Sequence, residues 1–280
     1  MIKRTHPQRN IQGNKKMQTL GGSMFIHNAI QFDYCVAEAL DSLCAVCDKA
    51  VILDANSTDG TIDLLMDVQK RNKNLKVITG ANWECAENLD RLKILTDKAK
   101  SYLDTDWQFQ LQADEVIHES SFKNIRNAIQ SNKWTSYVTR RCNLFGDLNL
   151  YLRYDLPQQH KPCSDAVVRL ATINWNSYGD AESLQVDPAY TGQFELNHIT
   201  IFHYGYVRRD ANGIDKTISM QSWFWGPNSK PDQRVVEMTN GRYEWEKLKT
   251  RDMLAPITMS HPKFSQKWAE ERQKEKIPVI

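Results

Sequence analysis

The sequence has no run of about 18 apolar residues, so no ordinary membrane-spanning helix is expected. It has no glycine-rich phosphate loop of the form GxGxxG or GxxxxGK[ST], which weighs against a nucleotidyltransferase or P-loop enzyme. It has almost no net charge: 36 Lys and Arg face 34 Asp and Glu, leaving +2 and no global field to draw it to nucleic acid or membrane. No apolar segment of signal-peptide type opens the chain. Residues 1–18 instead carry Lys3, Arg4, Arg9, Lys15 and Lys16 with no acid, and read as a flexible basic arm. There is no second CxxC to partner Cys44 and Cys47, so a zinc or redox pair is not supported. These two sit at i, i+3 beside Leu40 and Leu43 on one helical face, as buried thiols would. The six cysteines read as reduced thiols of a cytoplasmic protein. Internal repeats and low-complexity tracts are also missing.

What is present is an ordinary globular composition, 41% hydrophobic and 25% charged over 280 residues. Strand-like and helix-like segments alternate in the first part. Strands are expected at 24–27, 49–53, 75–79 and 107–112. Helices are expected at 33–47, 61–71 (N-capped by Ser57 or Asp59) and 85–103. Parallel strands need long crossovers, so this rhythm predicts an α/β fold with a mostly parallel sheet flanked by helices. After Glu115 the rhythm changes: a helix at 120–131 capped by Ser120 or Ser121, strands at 135–144, 165–172 and 199–206, and a helix at 214–225. A charged, helical tail follows from Gly241, interrupted at Pro256 and Pro262. The expected layout is a ligand-binding half at 19–118 and a mixed half at 119–280, fused into one unit.

Two segments carry chemistry. VILDANSTDGT, residues 51–61, is an apolar strand ending in Asp54, then a turn into a helix. Ligands of open α/β sheets bind beyond the carboxyl ends of strands, which is where Asp54 falls. WQFQLQADE, residues 107–115, is a second apolar strand ending in Asp114 and Glu115. Each also reads plainly as a polar turn capping a strand or helix.

Taken together, the two segments resemble the family-2 glycosyltransferases of the GT-A fold. The family signature DDGSTDGT is similar to Asp54-Ala55-Asn56-Ser57-Thr58-Asp59-Gly60-Thr61, and the DxD motif to Gln112-Ala113-Asp114, followed by Glu115. The resemblance spans about residues 20–210, and the first signature is the more specific. It implies an inverting transferase using a nucleoside-diphosphate sugar, UDP-linked by preference, with Mn²⁺ or Mg²⁺. Asp54 would then hydrogen-bond the base or ribose, with Asn28, Ser57 and Asp59 around the nucleotide. Asp114 would be the metal ligand. Gln112 stands where the first Asp of DxD usually stands, leaving a neutral amide in place of a carboxylate. Either the ion is held mainly by the donor's phosphates or Glu115 compensates.

The same resemblance extends to His203, in a His-x-Gly-Tyr segment (His203-Tyr204-Gly205-Tyr206), as a second metal ligand. Arg208 or Lys216 could meet phosphate oxygens, Arg through a bidentate contact and Lys as a point charge. Inversion requires a base opposite the leaving group. Asp180 and Glu182 are the preferred candidates, with Asp165 a rival. Trp175 and Tyr178 are expected to line an acceptor cleft, while Trp223 and Trp225 fall in a helical stretch and read as core. The acceptor would be a surface glycan before a hydroxylated DNA base; the basic arm permits the latter without requiring it. A catalytically weak nucleotide-binding or scaffold protein of the same fold is the competing reading, and Gln112 favours it. Oligomeric state is left open by the sequence.

Overall fold

The computed structural model describes residues 16–87, 90–131, 133–145, 147–152, 165–185, 196–207, 216, 219 and 254–274. The basic arm up to residue 15, Arg208, Trp223, Trp225, Trp245 and the 157–162 loop lie outside the described residues, as does the expected helix at 214–225 except for residues 216 and 219.

Four strands, β1 (Leu20–Ile26), β2 (Lys49–Asp54), β3 (Leu75–Ile78) and β4 (Trp107–Gln110), pair in the order β3-β2-β1-β4, all parallel. Helices α1 (Val36–Val46), α2 (Thr61–Arg71) and α3 (Asp90–Lys100) make the crossovers. Side chains alternate across the sheet with the period-2 rule. Leu20, Met24 and Ile26 of β1 and Ile52 of β2 join Leu40 and Leu43 of α1 and Leu65 of α2 in the main core. Phe25 and Leu53 face the other way and pack with Leu92, Leu95 and Ala99 of α3. All four strand ends therefore open on one edge between two helical layers.

The later strands are mixed. β5 (Glu115–Ile117) follows β4 at once, and a 3₁₀ turn at Glu119–Ser121 leads into α4 (Phe122–Ser131). β6 (Ser136–Phe145), β7 (Asp147–Leu152) and β8 (Asp165–Thr172) extend the sheet in the order β7-β6-β8, with β8 antiparallel to β4. β9 (Asn176–Tyr178) and β10 (Ser183–Gln185) form a separate hairpin. β11 (Leu196–Tyr206) runs parallel to β6 and antiparallel to β5, β12 (Leu254–Pro256) pairs with β7, and α5 (Gln266–Lys274) ends the described chain.

Several expectations are corrected. The helix expected over 85–103 begins only at Asp90, and residues 81–87 form loop and turns that bury Trp83. The helix expected from residue 33 begins at Val36, because Asn28 and Asp33 take positive φ in the preceding turns. The N-cap of α2 is Gly60 (φ +89°), not Ser57 or Asp59, since a left-handed backbone is cheapest without a Cβ. His118, not a serine, caps the turn before α4 by accepting the Ser120 N–H. The segment before Pro256, expected to be helical, is strand β12, which fits a residue that cannot donate to a ladder and sits at a sheet edge. Cys44 and Cys47 are buried thiols as expected; burial pushes Cys44 up to about 12 and Cys47 well above the usual thiol range.

Candidate functional site

Asp54 closes β2 and is fully buried. Its Oδ2 accepts the Ser57 N–H at 3.2 Å, while Oδ1 is buried with no hydrogen-bond partner among the described residues. A buried carboxylate oxygen without a donor is costly, and a ligand N–H or O–H would relieve it. Around it the loops after β1 and β2 are tied together. Asn28 N–H donates to Ser57 Oγ (2.9 Å), Thr58 N–H to Asn28 Oδ1 (2.9 Å), Gln31 N–H to Asp59 Oδ2 (2.7 Å) and Ala29 N–H to Thr61 Oγ1 (2.8 Å). Burial pushes the Asp59 carboxyl up, but the Thr61 hydroxyl and the Gln31 and Thr61 N–H groups outweigh it and hold Asp59 below its ordinary value. Ser57 and Asp59 thus shape the loops that flank Asp54. Asn28 and Asn56 take positive φ (+52° and +54°), a region that Asn tolerates better than most residues.

Sequence reading missed an aromatic wall here. The His27 ring stacks on Trp83 with centroids 4.3 Å apart and planes 6° from parallel, and its Nδ1–H donates to the Ala55 carbonyl at 2.7 Å. Burial lowers the His27 pKa, and the Arg91 guanidinium lies 5.2 Å from the Trp83 ring centre. A tryptophan in the loop that follows the third strand was the available signal.

The end of β4 is built from charge. Asp114 and Glu115 are neighbours but point to different partners. Glu115 is fully buried; its Oε1 accepts from Arg169 Nη2 at 2.6 Å and its Oε2 from the Gln112 N–H at 3.0 Å. Arg141 stands 3.5 Å from the same Oε1. Burial raises the Glu115 pKa, but Arg169, Arg141 and His203 outweigh it and leave it below the ordinary value. Glu115 is therefore not free to compensate as a metal ligand: its Oε1 is held by Arg169 and its Oε2 by the Gln112 N–H. Arg169, itself fully buried, also donates to Gln110 Oε1 (3.0 Å) and the Ala181 carbonyl (3.2 Å).

Asp114 faces the other way. Its Oδ1 lies 3.6 Å from His203 Nε2, and its Oδ2 accepts from Lys216 Nζ at 3.1 Å. His203 Nδ1 is 2.7 Å from Asn143 Oδ1. An amide oxygen only accepts, so Nδ1 donates to Asn143, which fixes the ring with Nε2 toward Asp114. A Cβ at Gly205 would lie 2.4 Å from His203 Nε2 and 3.2 Å from Asp114 Oδ2, so the glycine keeps this space open. The 3.6 Å separation lets both groups reach one ion through bonds of about 2.1 Å. No cluster of three His, Cys, Asp or Glu exists among the described residues, so a hard ion would take its other ligands from phosphate oxygens and water. On those terms the residues fit Mn²⁺ or Mg²⁺ as a two-ligand site.

The remaining candidates divide. Asp180 sits in the β9–β10 turn between Gly179 (φ +62°) and Ala181 (φ +67°). That turn is anchored beside the β4 end through the Ala181 carbonyl, which Arg169 and Gln110 both contact. Glu182 is ion-paired with Arg141 at 2.5 Å. Asp165 opens β8 as expected. Trp175 is buried in an apolar cluster with Val138, Val168, Ala171 and Leu184, whereas Tyr178 is exposed. Tyr206, which closes the His-x-Gly-Tyr segment and had no role assigned from sequence, is an exposed ring 5.5 Å from His203 and 5.2 Å from Phe145.

No protein-family model and no curated protein matches the chain. Among solved structures it is similar to TarS of S. aureus in complex with UDP, with 18% identity, 45% of this chain and 36% of that chain covered, and a TM-score of 0.35. A structure of the same protein aligns over 93% of this chain and 81% of that one, at 10% identity and a TM-score of 0.40. A mannosyltransferase from Pyrobaculum calidifontis, in complex with GDP-Man and Mn²⁺, aligns at 14% identity over 50% of this chain and 39% of that one, with a TM-score of 0.34. The chain spans about a third of the length of the first structure it matches. No described helix is long and apolar enough to cross a membrane.

Proposed function

We propose that the chain is an inverting glycosyltransferase that moves a sugar from a nucleoside-diphosphate sugar, UDP-linked by preference, to an acceptor hydroxyl. The observation that carries this reading is the pairing, on one sheet edge, of two unlike sites: a buried carboxylate oxygen awaiting a donor at Asp54, and the Asp114–His203 pair kept open by Gly205. The first suits a base or ribose N–H or O–H. The second suits a diphosphate held with Mn²⁺ or Mg²⁺, which would supply Lewis-acid stabilisation of the leaving charge. Residues 19–118 would bind the donor and 119–280 the acceptor.

In this reading the acceptor oxygen attacks the anomeric carbon as the carbon–oxygen bond to the diphosphate breaks. Asp180 takes the hydroxyl proton, since its neighbour Glu182 is paired with Arg141. Lys216 meets the departing phosphate. Tyr206 and Tyr178 offer exposed aromatic faces to a sugar, so a surface glycan is the preferred acceptor, with a hydroxylated DNA base second. The free described cysteines support a cytoplasmic setting. A nucleotide-binding protein with weak turnover is the second reading, favoured by Gln112 and by the ion pair that already occupies Asp114.

The test is thermal melting against nucleoside diphosphates and nucleotide sugars, with and without Mn²⁺, followed by hydrolysis of any sugar that binds. A metal-dependent rise with one nucleotide and slow release of its sugar are expected, because a ligand that binds only the native state raises the midpoint. Binding without any hydrolysis would select the second reading, and no shift with any nucleotide would sink both.

A further inference from the structure

Among the described residues, Asp114 is the carboxylate that faces both His203 and Lys216. Gln112 is neutral, and the Glu115 oxygens accept from Arg169 and the Gln112 N–H, so the carboxylate oxygens turned toward His203 Nε2 are those of Asp114. Yet Asp114 is already paired. Lys216 Nζ lies 3.1 Å from its Oδ2, with the lysine side chain 15% and the aspartate side chain 8% exposed. The same ammonium sits 5.1 Å from the centre of the Tyr34 ring, in the loop that also carries Asn28. A cation held between an aromatic face and a shielded carboxylate is screened far less than a surface ion pair.

Resting on the donor-site reading above, we propose that Lys216 is a resident counter-cation of Asp114, which yields that carboxylate to a divalent ion only when a diphosphate enters to receive the ammonium. An ammonium and a divalent ion cannot share one carboxylate without strong repulsion. A diphosphate brings the missing negative charge. Its oxygens accept from Lys216 and complete the coordination that Asp114 and His203 begin. Ion and diphosphate binding are then positively coupled, and the coupling is reciprocal. This assigns Gln112 a consequence: with one carboxylate instead of two, the empty site is balanced by a lysine and does not load metal ahead of the donor.

The experiment is Mn²⁺ titration of the full chain, following free ion by electron paramagnetic resonance, with and without UDP. The wild type should bind Mn²⁺ weakly alone and more tightly with UDP. Lys216→Met should bind Mn²⁺ alone at least about tenfold more tightly, about 1.4 kcal/mol, with less added by UDP. Lys216→Arg, which keeps the charge, should stay weak. In an Asp114→Asn background the gain from Lys216→Met should vanish, which general electrostatics would not produce. If Lys216→Met leaves Mn²⁺ affinity unchanged or lower while UDP still raises the wild-type melting temperature, the counter-cation is refuted and the donor site stands. If neither UDP nor GDP binds the wild type with or without Mn²⁺, the donor reading falls and this proposal with it.

Discussion

The ends of β2 and β4 lie on the same sheet edge but are built from different materials. Around Asp54, the ties are backbone N–H groups, hydroxyls, an amide and the carboxylates of Asp54 and Asp59, drawn from two loops within residues 27–61. Around Asp114 and Glu115, the ties are guanidinium, ammonium and imidazole groups from β6, β8, β11 and residue 216. Hydrogen-bonding ties without a cationic side chain among them present a shaped acceptor for donor groups of a base or ribose. A charged network is suited to a ligand that is itself charged, because the low local dielectric strengthens each ion pair and makes each unpaired ion costly. The same edge therefore separates recognition by shape and hydrogen bonds from recognition by charge.

Breaking the charged end should cost most. Arg169→Met leaves Glu115 buried without its principal partner and should lose about 3–5 kcal/mol of stability in urea denaturation. Adding Glu115→Gln should recover part of it. A loss comparable to a surface substitution would mean that the β4 turn is held by something other than this pair. Gly205→Ala should displace His203 without touching the β2 end. We expect roughly a hundredfold loss of Mn²⁺-dependent nucleotide-sugar hydrolysis, while UDP still raises the melting temperature without metal. Equal loss of both would join the two ends into one unit.

Asp54→Ala tests the β2 end. It should weaken UDP by about 2 kcal/mol in calorimetry, the scale of one hydrogen bond to a charged group, and leave Mn²⁺ binding by the isolated protein unchanged. The smallest effect concerns protons. Burial lowers His27 and His261 below the ordinary 6.5. The unfolded chain therefore takes up these protons first as pH falls, so stability is fully present above about pH 7 and declines as pH drops through 6.5 toward the lowered folded values. His261→Gln should flatten part of that slope in melts between about pH 7 and 5. An unchanged slope would assign the acid sensitivity to other groups.

Much of the parallel half was legible in the sequence. Helix α2 runs over the expected 61–71, and β2 over the expected strand plus Asp54, because apolar periodicity and turn residues act over short range. The edges were less legible. The helix was expected to open at Cys85, but Trp83 is drawn under His27 and the helix starts at Asp90. Trp175 was read as a cleft aromatic and lies in a core cluster; no local pattern distinguishes the two. Glu115 was read as a spare ligand because its partner Arg169 is 54 residues away.

By itself, the sequence determined the parallel α/β half and the position of Asp54 and Asp114 at strand ends, since alternation, turns and crossovers are local matters. Only the tertiary structure decided what each carboxylate does. His203 is oriented by Asn143 across 60 residues and Asp114 is paired with Lys216 across 102. Two adjacent acids are chemically near-identical in a one-dimensional string. Folding sends one into a buried pair of arginines and leaves the other facing a histidine, a lysine and the space kept by a glycine, and those surroundings set the cost of each charge.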